Sequence, residues 1–253
     1  MKAMILAAGL GTRLRPLTND CPKALVEIAG HTLLEITIAR LRASGIREII
    51  INVHHFAGLV TEYLRWKNNF GMRIEISQED VLLDTGGGLK KAAWFFLEGG
   101  SSAEPFILHN VDVISNIDLK KMIALHKESG APATLAVQQR ESSRYLLFNE
   151  QMQLCGRQFV REGRTELVLP SPNLQPLAFA GIHVISPQLL GMISEEGVFS
   201  VVESYLRLAD KGEKILGYRA DGAYWRDLGR PESVAQAAQD MKDNSLLSGL
   251  ESY

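Results

Sequence analysis

Cysteine and net charge are both in short supply in this chain. The 253 residues include two cysteines, too few for a disulfide framework and without the spacing of a metal site. We therefore expect a reducing, cytoplasmic setting. Lysine and arginine number 27 against 29 aspartates and glutamates, a formal net charge of −2. The chain therefore has no excess of positive charge that would indicate nucleic acid or an anionic membrane as a partner.

Long apolar runs are also lacking. No stretch is long enough to span a bilayer. The apolar start at Met4 to Ala8 is short and has no cleavage region, so we expect no signal peptide. Linkers, internal repeats and low-complexity segments are absent as well, which predicts a single domain over residues 1–253.

The chain does contain an alternation of buried-strand and helical patterns as far as residue 129. This alternation predicts an α/β fold, with a Rossmann-like, mixed and mostly parallel central sheet flanked by helices. After Ala131 the strand spacing is typical of an antiparallel meander, and the sheet is expected to resume at 178–185. Residues 242–253 are expected to form a polar tail.

The most informative segment follows the first apolar strand. Glycines at positions 9 and 11 let a backbone approach a phosphate chain and offer N–H donors to it. Arg13 adds a forked cation, and Lys23 follows after Pro22. A Walker A loop is excluded because no lysine adjoins the glycines. The dinucleotide fingerprint G-x-G-x-x-G is excluded because Leu14 stands where it needs glycine.

The longer pattern L-A-A-G-x-G-T-R-L-R-P-L-T, followed by P-K-A-L, resembles the signature of the sugar-1-phosphate nucleotidyltransferases. This resemblance implies a fold of the nucleotide-diphospho-sugar transferase type, with a nucleotide-binding half at 1–113 and a sugar-binding half at 114–241. It also implies transfer of a nucleoside monophosphate from a nucleoside triphosphate to a sugar 1-phosphate, with release of pyrophosphate. Arg13 and Lys23 would then be the catalytic cations that neutralise the phosphates.

The resemblance also implies a magnesium site. Asp112 follows the apolar strand 106–110, at the edge where α/β sheets bind ligands. Asp227 lies in Trp225-Arg226-Asp227-Leu228-Gly229-Arg230-Pro231-Glu232, which resembles the family segment W-x-D-x-G-x-P-E. Both are expected to hold Mg²⁺, which prefers oxygen ligands. Valine at position 111 departs from the usual N-G-D and places bulk beside the ligand.

Two further groups of residues are implied as contacts. Three consecutive glycines are poor helix formers, so another group is expected to approach the segment from Asp84 to Gly88 closely. The family resemblance implies that this group is the nucleotide base. The expected nucleotide-binding residues are Ala7, Ala8, Gly9, Gly11, Thr12, Gln78, Thr85, Gly86 and Gly87, and the expected sugar-binding residues are Asn110 and Gly181.

Several questions stay open at the level of sequence. The form L-x-T-G-G-G is closest to N-acetylmuramate-1-phosphate uridylyltransferases, whereas mannose-1-phosphate guanylyltransferases more often show G-T-A-G; UTP or GTP is the expected donor. The alternatives are a cytidylyltransferase acting on phosphocholine and a non-catalytic, nucleotide-binding regulatory subunit. The cation for the sugar phosphate is unassigned among Arg157, Arg161 and Arg164. The oligomeric state, a homo-oligomer included, is open.

Overall fold

The computed structural model describes residues 1–98 and 104–243, the last two by their backbone alone. The strands are β1 (Lys2–Leu6), β2 (Glu27–Ile28), β3 (His31–Thr32), β4 (Glu48–Val53), β5 (Arg73–Gln78), β6 (Phe106–Asn110), β7 (Val113–Ser115), β8 (Ala133–Gln138), β9 (Arg144–Phe148), β10 (Leu154–Phe159), β11 (Arg164–Leu167), β12 (Gln175–Ile185), β13 (Ile215–Arg219) and β14 (Trp225–Asp227). The helices are α1 (Leu33–Ala43), α2 (Ala57–Trp66), α3 (Asp84–Lys91), α4 (Ala93–Leu97), α5 (Leu119–Ser129), α6 (Gln188–Met192), α7 (Val201–Asp210) and α8 (Pro231–Asp243).

The strands assemble into one large sheet and two small ribbons. The path through the large sheet is β11-β10-β9-β12-β6-β1-β4-β5, and β8 joins β12 to β13. Strands β6, β1, β4 and β5 are parallel, whereas β12 is antiparallel to β6. This arrangement confirms the predicted mixed and mostly parallel sheet, and β9 to β11 form the predicted meander.

The order of the parallel strands fixes the position of a binding crevice. From β1 the chain adds β4 and then β5 on one side, and it returns to place β6 on the other side of β1. Ligands of open α/β sheets bind where the strand order reverses, at the carboxyl ends of the strands. Those ends carry the loop after Leu6 and the segment after Asn110.

Helices cover both faces of the sheet because its central strands are apolar on both sides. In β4, Ile49 and Ile51 join the core under α1, α2, α5 and α8, while Ile50 joins the opposite core. Tyr205 of α7 and Phe95 of α4 fill this second core, and both are fully buried. Among the described helices, none has the length and hydropathy needed to cross a bilayer.

Several local predictions differ from the structure. The sequence pattern over 85–97 predicts one helix, whereas the structure has two, because the chain turns at Ala92; both Phe95 and Phe96 reach the core. Strands β7 and β11 were not predicted, since three or four residues carry too little periodicity. Residues 244–253 of the expected polar tail lie outside the described residues.

Three buried histidines predict an acid-sensitive fold. Burial lowers the pKa of His109 to about 3, of His126 to about 4 and of His183 to about 3. The unfolded chain protonates histidine near pH 6.5 while the folded chain does not, so stability is lost as the pH falls below that value.

Between pH 7.5 and 5.5 the free energy of unfolding should fall by about 1 kcal/mol for each of these histidines. Urea denaturation at the two pH values measures the change. His126→Gln should reduce it by about one third, because it removes one of the three buried rings, the one that bonds Thr134 and Ser186. An unchanged pH dependence in that variant would contradict the assignment.

Candidate active site

The crevice at the strand-order reversal is a cavity of about 320 Å³. It is bounded by the carboxyl ends of four parallel strands, by the start of α3 and by one residue of the segment before α7. Its lining residues are Leu6, Ala7, Ala8, Gly9, Lys23, Asn52, Glu79, Leu82, Asp84, Thr85, Asn110, Val111, Asp112 and Val198. Seven of the expected site residues are in this set: Ala7, Ala8, Gly9, Lys23, Thr85, Asn110 and Asp112.

The loop after β1 is held in a fixed shape before any ligand arrives. The backbone N–H of Ala7 donates to Asn52 Oδ1 at 2.7 Å. Gly11 has a φ of +64°, and a Cβ there would lie 3.0 Å from Thr18 Cγ2. The Thr18 hydroxyl donates to the Gly11 carbonyl at 2.8 Å. Glycine at position 11 is therefore required by the loop itself, whatever it binds.

Leu14 anchors the short 3₁₀ turn that carries Thr12 and Arg13. Leu14 is fully buried in the core, whereas both preceding side chains are exposed. The leucine that excludes a dinucleotide fingerprint thus serves to fix the turn. Its burial holds the Arg13 guanidinium on the surface, where it reaches Gly229.

Lys23 and Asp112 form an ion pair at the cavity wall, with side chains 11% and 16% exposed. Lys23 begins a 3₁₀ turn after Pro22, and Asp112 follows β6. Residues 89 positions apart thus place an ammonium and a carboxylate together. In this ion pair the charge of Lys23 is offset by that of Asp112.

The ribbon of β7 and β14 brings Asp227 beside Asp112. Asp227 lies opposite Val113 in this antiparallel pair, and the N–H of Leu228 donates to the Asp112 carbonyl at 2.8 Å. The Asp227 Oδ1 accepts from the N–H of Gly229 at 2.7 Å. A Cβ at Gly229 would lie 2.7 Å from that oxygen and 2.9 Å from Arg13 Nη2. The guanidinium and the carboxylate therefore border the same glycine.

Asn52 and Glu79 form a buried polar pair that sequence reasoning missed. Each is 2% exposed. Asn52 Nδ2 donates to Glu79 Oε1 at 2.7 Å, and the N–H of Leu83 donates to Glu79 Oε2 at 2.9 Å. These bonds tie the loop after β1 to the start of α3. The signal was a polar residue ending an apolar parallel strand, the same signal that singled out Asp112.

Replacing Asn52 with alanine is expected to loosen this connection. The N–H of Ala7 and the Glu79 carboxylate would each lose a buried partner, at a cost of about 1–3 kcal/mol of stability. Nucleotide affinity should fall as well, because both groups line the cavity. Urea denaturation and nucleotide titration measure the two effects. Asn52→Asp keeps the acceptor for Ala7 but sets a second carboxylate against buried Glu79, so it should also destabilise the fold. Wild-type values in Asn52→Ala would contradict the connection.

The glycines at the start of α3 are packed against another part of the chain. A Cβ at Gly86 would lie 2.3 Å from the Phe199 ring, and one at Gly87 would lie 2.4 Å from the Gly197 carbonyl oxygen. The N–H of Gly86 donates to the Phe199 carbonyl at 2.9 Å, and that of Val201 donates to Thr85 Oγ1 at 3.0 Å. The close approach expected from the sequence is thus made here by residues 197–201.

Gln78 does not join the cavity wall. Side chains alternate along β5 and just beyond it, so Ser77 and Glu79 are buried and Gln78 is exposed. Its role as a base contact stays a prediction without support from the cavity geometry. Glu79 takes the inward position.

The expected sugar-side residues Asn110 and Gly181 are in contact. Gly181 has a φ of +73°, and a Cβ there would lie 2.9 Å from Asn110 Nδ2 and 3.0 Å from Val113 Cγ2. Val111, whose bulk the sequence places beside the ligand, lines the cavity and is also 3% exposed in the core. The positive φ of Gly181 and its lack of a Cβ therefore let β12 approach Asn110 and Val113 closely.

Two of the three arginines considered for the sugar phosphate are occupied by carboxylates. Arg157 pairs with Glu166 and with Glu203, the latter at 2.6 Å. Arg164 pairs with Glu166 and Glu162 on the exposed meander. Neither lines the cavity described above.

A family model for nucleotidyl transferases matches residues 2–244 of the chain. The chain is 34% identical over 240 residues to the N-acetylmuramate alpha-1-phosphate uridylyltransferase of Caulobacter vibrioides, covering 93% of this chain and 94% of that protein. It is 32% identical over 237 residues to mannose-1-phosphate guanylyltransferase 1 of Arabidopsis thaliana, covering 91% of this chain and 62% of the plant protein.

The fold has counterparts among solved structures. A UDP-glucose pyrophosphorylase complexed with UDP-glucose aligns with a TM-score of 0.77 at 18% identity, covering 96% of this chain and 98% of the other. At that identity the likeness shows the fold alone. The match of the family model over nearly the whole chain, together with the Caulobacter relative, shows that this protein belongs to the nucleotidyl transferase family, as its N-terminal loop predicts.

Proposed function

We propose that the cavity binds a nucleoside triphosphate and that the protein transfers its nucleotidyl group to a sugar 1-phosphate. The observation that carries this proposal is that two pairs of charged side chains from distant segments adjoin: Lys23 and Asp112 in the cavity wall, and Arg13 and Asp227 beside Gly229, with the N–H of Leu228 bonded to the Asp112 carbonyl between them. The relatives' activities support the same reaction.

In this reaction an oxygen of the sugar phosphate attacks the α-phosphorus and forms a new P–O bond. The bond from the α-phosphorus to the bridging oxygen breaks, and pyrophosphate leaves with that electron pair. The attacking oxygen is already ionised at neutral pH, so the reaction needs no general base. The obstacle is repulsion between two anions, which positioned cations reduce.

The chain's own cations fit this need. Lys23 lies in the cavity wall and would move from Asp112 towards a phosphate oxygen when the nucleotide binds. Arg13 lies on the exposed turn beside Gly229, where its fork can hold the outer phosphates. Ala8 and Gly9 line the same cavity as Lys23.

The two aspartates fit Mg²⁺, which typically takes one or two protein carboxylates and keeps water and phosphate as its other ligands. One oxygen of each carboxylate accepts a hydrogen bond from the protein, and each carboxylate has a second oxygen. Within residues 1–98 and 104–243, no group of three or more metal-binding side chains forms a closed site of another kind. When bound, the ion would offset phosphate charge as the pyrophosphate leaves.

The substrate assignment within this class follows the relatives. We propose UTP or GTP as the donor, because the relatives are a uridylyltransferase and a guanylyltransferase. We also propose that residues 1–113 supply the nucleotide contacts and that residues 114–241 supply most of the acceptor contacts. Asn110, at the boundary, would contact the sugar together with Gly181.

A pyrophosphate-release assay tests the proposal. The purified chain is incubated with magnesium, each of UTP, GTP, CTP, dTTP and ATP, and a panel of hexose and N-acetylhexosamine 1-phosphates. Phosphocholine is included as an acceptor. Release with a sugar 1-phosphate and UTP or GTP is expected, and release only with CTP and phosphocholine would favour a cytidylyltransferase. Nucleotide binding without release from any pair would favour a regulatory subunit.

A further inference from the structure

Arg140 is a cation beside the candidate active site that sequence analysis did not single out. It lies two residues after the end of β8. Its guanidinium stacks on Trp225, with the central carbon 3.5 Å from the ring centroid. Its Nη2 donates to the Phe179 carbonyl at 2.8 Å. These two contacts fix a planar, forked cation in one orientation.

The guanidinium has no carboxylate partner of its own. Among the described residues, no carboxylate oxygen forms an ion pair with Arg140, and its buried Nε has no hydrogen-bond partner. Arg157, Arg207 and Arg226, which are also partly buried, each form an ion pair with at least one carboxylate. A partly buried cation without an anion is costly unless a ligand supplies one.

The position of Trp225 places this cation on the side of the candidate metal pair. Trp225 and Asp227 are two residues apart in β14, so their side chains share one face of the strand. The Trp225 indole donates to the Ala180 carbonyl at 2.8 Å. Burial lowers the pKa of Arg140, and the negative charge of Asp227 acts in the opposite direction, as expected of two neighbouring charges.

The backbone carbonyls that accept hydrogen bonds from Arg140 and Trp225 lie in β12 directly before the sugar-side residue Gly181. Phe179, which accepts from Arg140, and Ala180, which accepts from Trp225, precede Gly181 in β12. Gly181 in turn contacts Asn110. Arg140 is therefore connected to the β12 and β14 side of the crevice, whereas Lys23 belongs to the wall formed by the parallel strands.

We infer that Arg140 binds the phosphate group of the sugar 1-phosphate and holds it beside the Asp112–Asp227 pair. This inference rests on the proposed function and assigns a residue to the acceptor side of that site. Nη1 donates to the Glu141 carbonyl at 3.4 Å and Nη2 to the Phe179 carbonyl, and each of the two nitrogens keeps a second N–H that can donate to a phosphate oxygen, while the stack on Trp225 keeps the fork from turning away. The phosphate of the sugar would then supply the ion-pair partner that no carboxylate of the described residues supplies to Arg140.

The test measures the two Michaelis constants separately in the pyrophosphate-release assay. Arg140→Ala should raise KM for the sugar 1-phosphate by about 10- to 100-fold, the expected effect of losing a bidentate charged contact. KM for the nucleoside triphosphate should stay within about twofold of wild type. Arg140→Lys should recover part of the loss because it keeps the charge without the fork.

Matched variants separate binding from a structural role. Arg140→Gln keeps a donor for the Phe179 carbonyl but loses the charge, so it should raise KM for the sugar 1-phosphate as Arg140→Ala does. This variant keeps the test decisive if alanine at position 140 weakens folding. Arg164→Ala removes the same charge from an exposed arginine that already has carboxylate partners, and its KM values should match wild type.

An unchanged KM for the sugar 1-phosphate in Arg140→Gln would overturn the inference. So would an equal rise of both Michaelis constants accompanied by a lower melting temperature. Absence of turnover in wild-type protein would instead reject the proposed function, and this inference with it.

Discussion

Asp227→Asn is expected to lower kcat by about a thousandfold while the protein stays folded. The amide keeps the size of the side chain and can still accept from the N–H of Gly229, so the turn before α8 persists. It removes the negative charge that, as we propose, acts with Asp112 in holding a divalent cation. Asp112→Asn should cause a similar loss and should also release Lys23 from its ion pair.

Two measurements give this prediction its controls. Asp210→Asn changes the same charge at an exposed position at the end of α7, and its kcat should equal that of wild type. Binding of Mn²⁺ in the presence of nucleotide, followed by electron paramagnetic resonance, should weaken in the Asp112 and Asp227 variants only. Activity within threefold of wild type in Asp227→Asn would show that this carboxylate is not at the reacting centre.

The parts of the site that follow a strand or a continuous motif could be predicted from sequence. A buried strand followed by glycines placed the residues after Leu6, and an apolar strand ending in polar residues placed Asn110 and Asp112. The residues after β1 and after β6 lie close together because the two strands are parallel neighbours whose carboxyl ends are at the same edge of the sheet. Asp227 was found by its motif, and the ribbon with β7 that positions it is too short to predict.

The residues that were missed depend on contacts between distant segments. Asn52 and Glu79 end or follow parallel strands, but their importance comes from the hydrogen bond between them and from the N–H of Ala7. Arg140 lies in a polar segment without a pattern. Its stacking on Trp225 joins residues 85 positions apart in the chain, which no local signal reveals.

The glycines of α3 show how a correct physical argument can leave the partner undecided. Three glycines in a helix require a close neighbour, and Gly86 and Gly87 have one. The sequence could not tell a nucleotide base from another part of the protein. The structure places residues 197–199 against these glycines, while Thr85 and Val198 still line the cavity. The two segments therefore build one wall of the site together.

Gly87→Ala is accordingly expected to be among the most damaging small substitutions in the chain. The new Cβ would lie 2.4 Å from the Gly197 carbonyl oxygen and 2.9 Å from Leu83 Cβ. Neither contact can relax by rotating a flexible side chain, so α3 and residues 197–199 must move apart. The expected cost is about 1–3 kcal/mol in the free energy of unfolding, measured by urea denaturation. Nucleotide affinity should fall with it, because Thr85 and Val198 would separate.

The matched control is Gly58→Ala, in the exposed first turn of α2. A Cβ at that position meets nothing within 4 Å, and alanine is favoured over glycine in a helix by about 0.5–1 kcal/mol. Gly58→Ala should therefore be neutral or stabilising, with unchanged nucleotide affinity. The same substitution in two helices should thus act with opposite sign on stability. If Gly87→Ala proved as stable as wild type, residues 197–199 would have to lie farther from α3 than the structure places them.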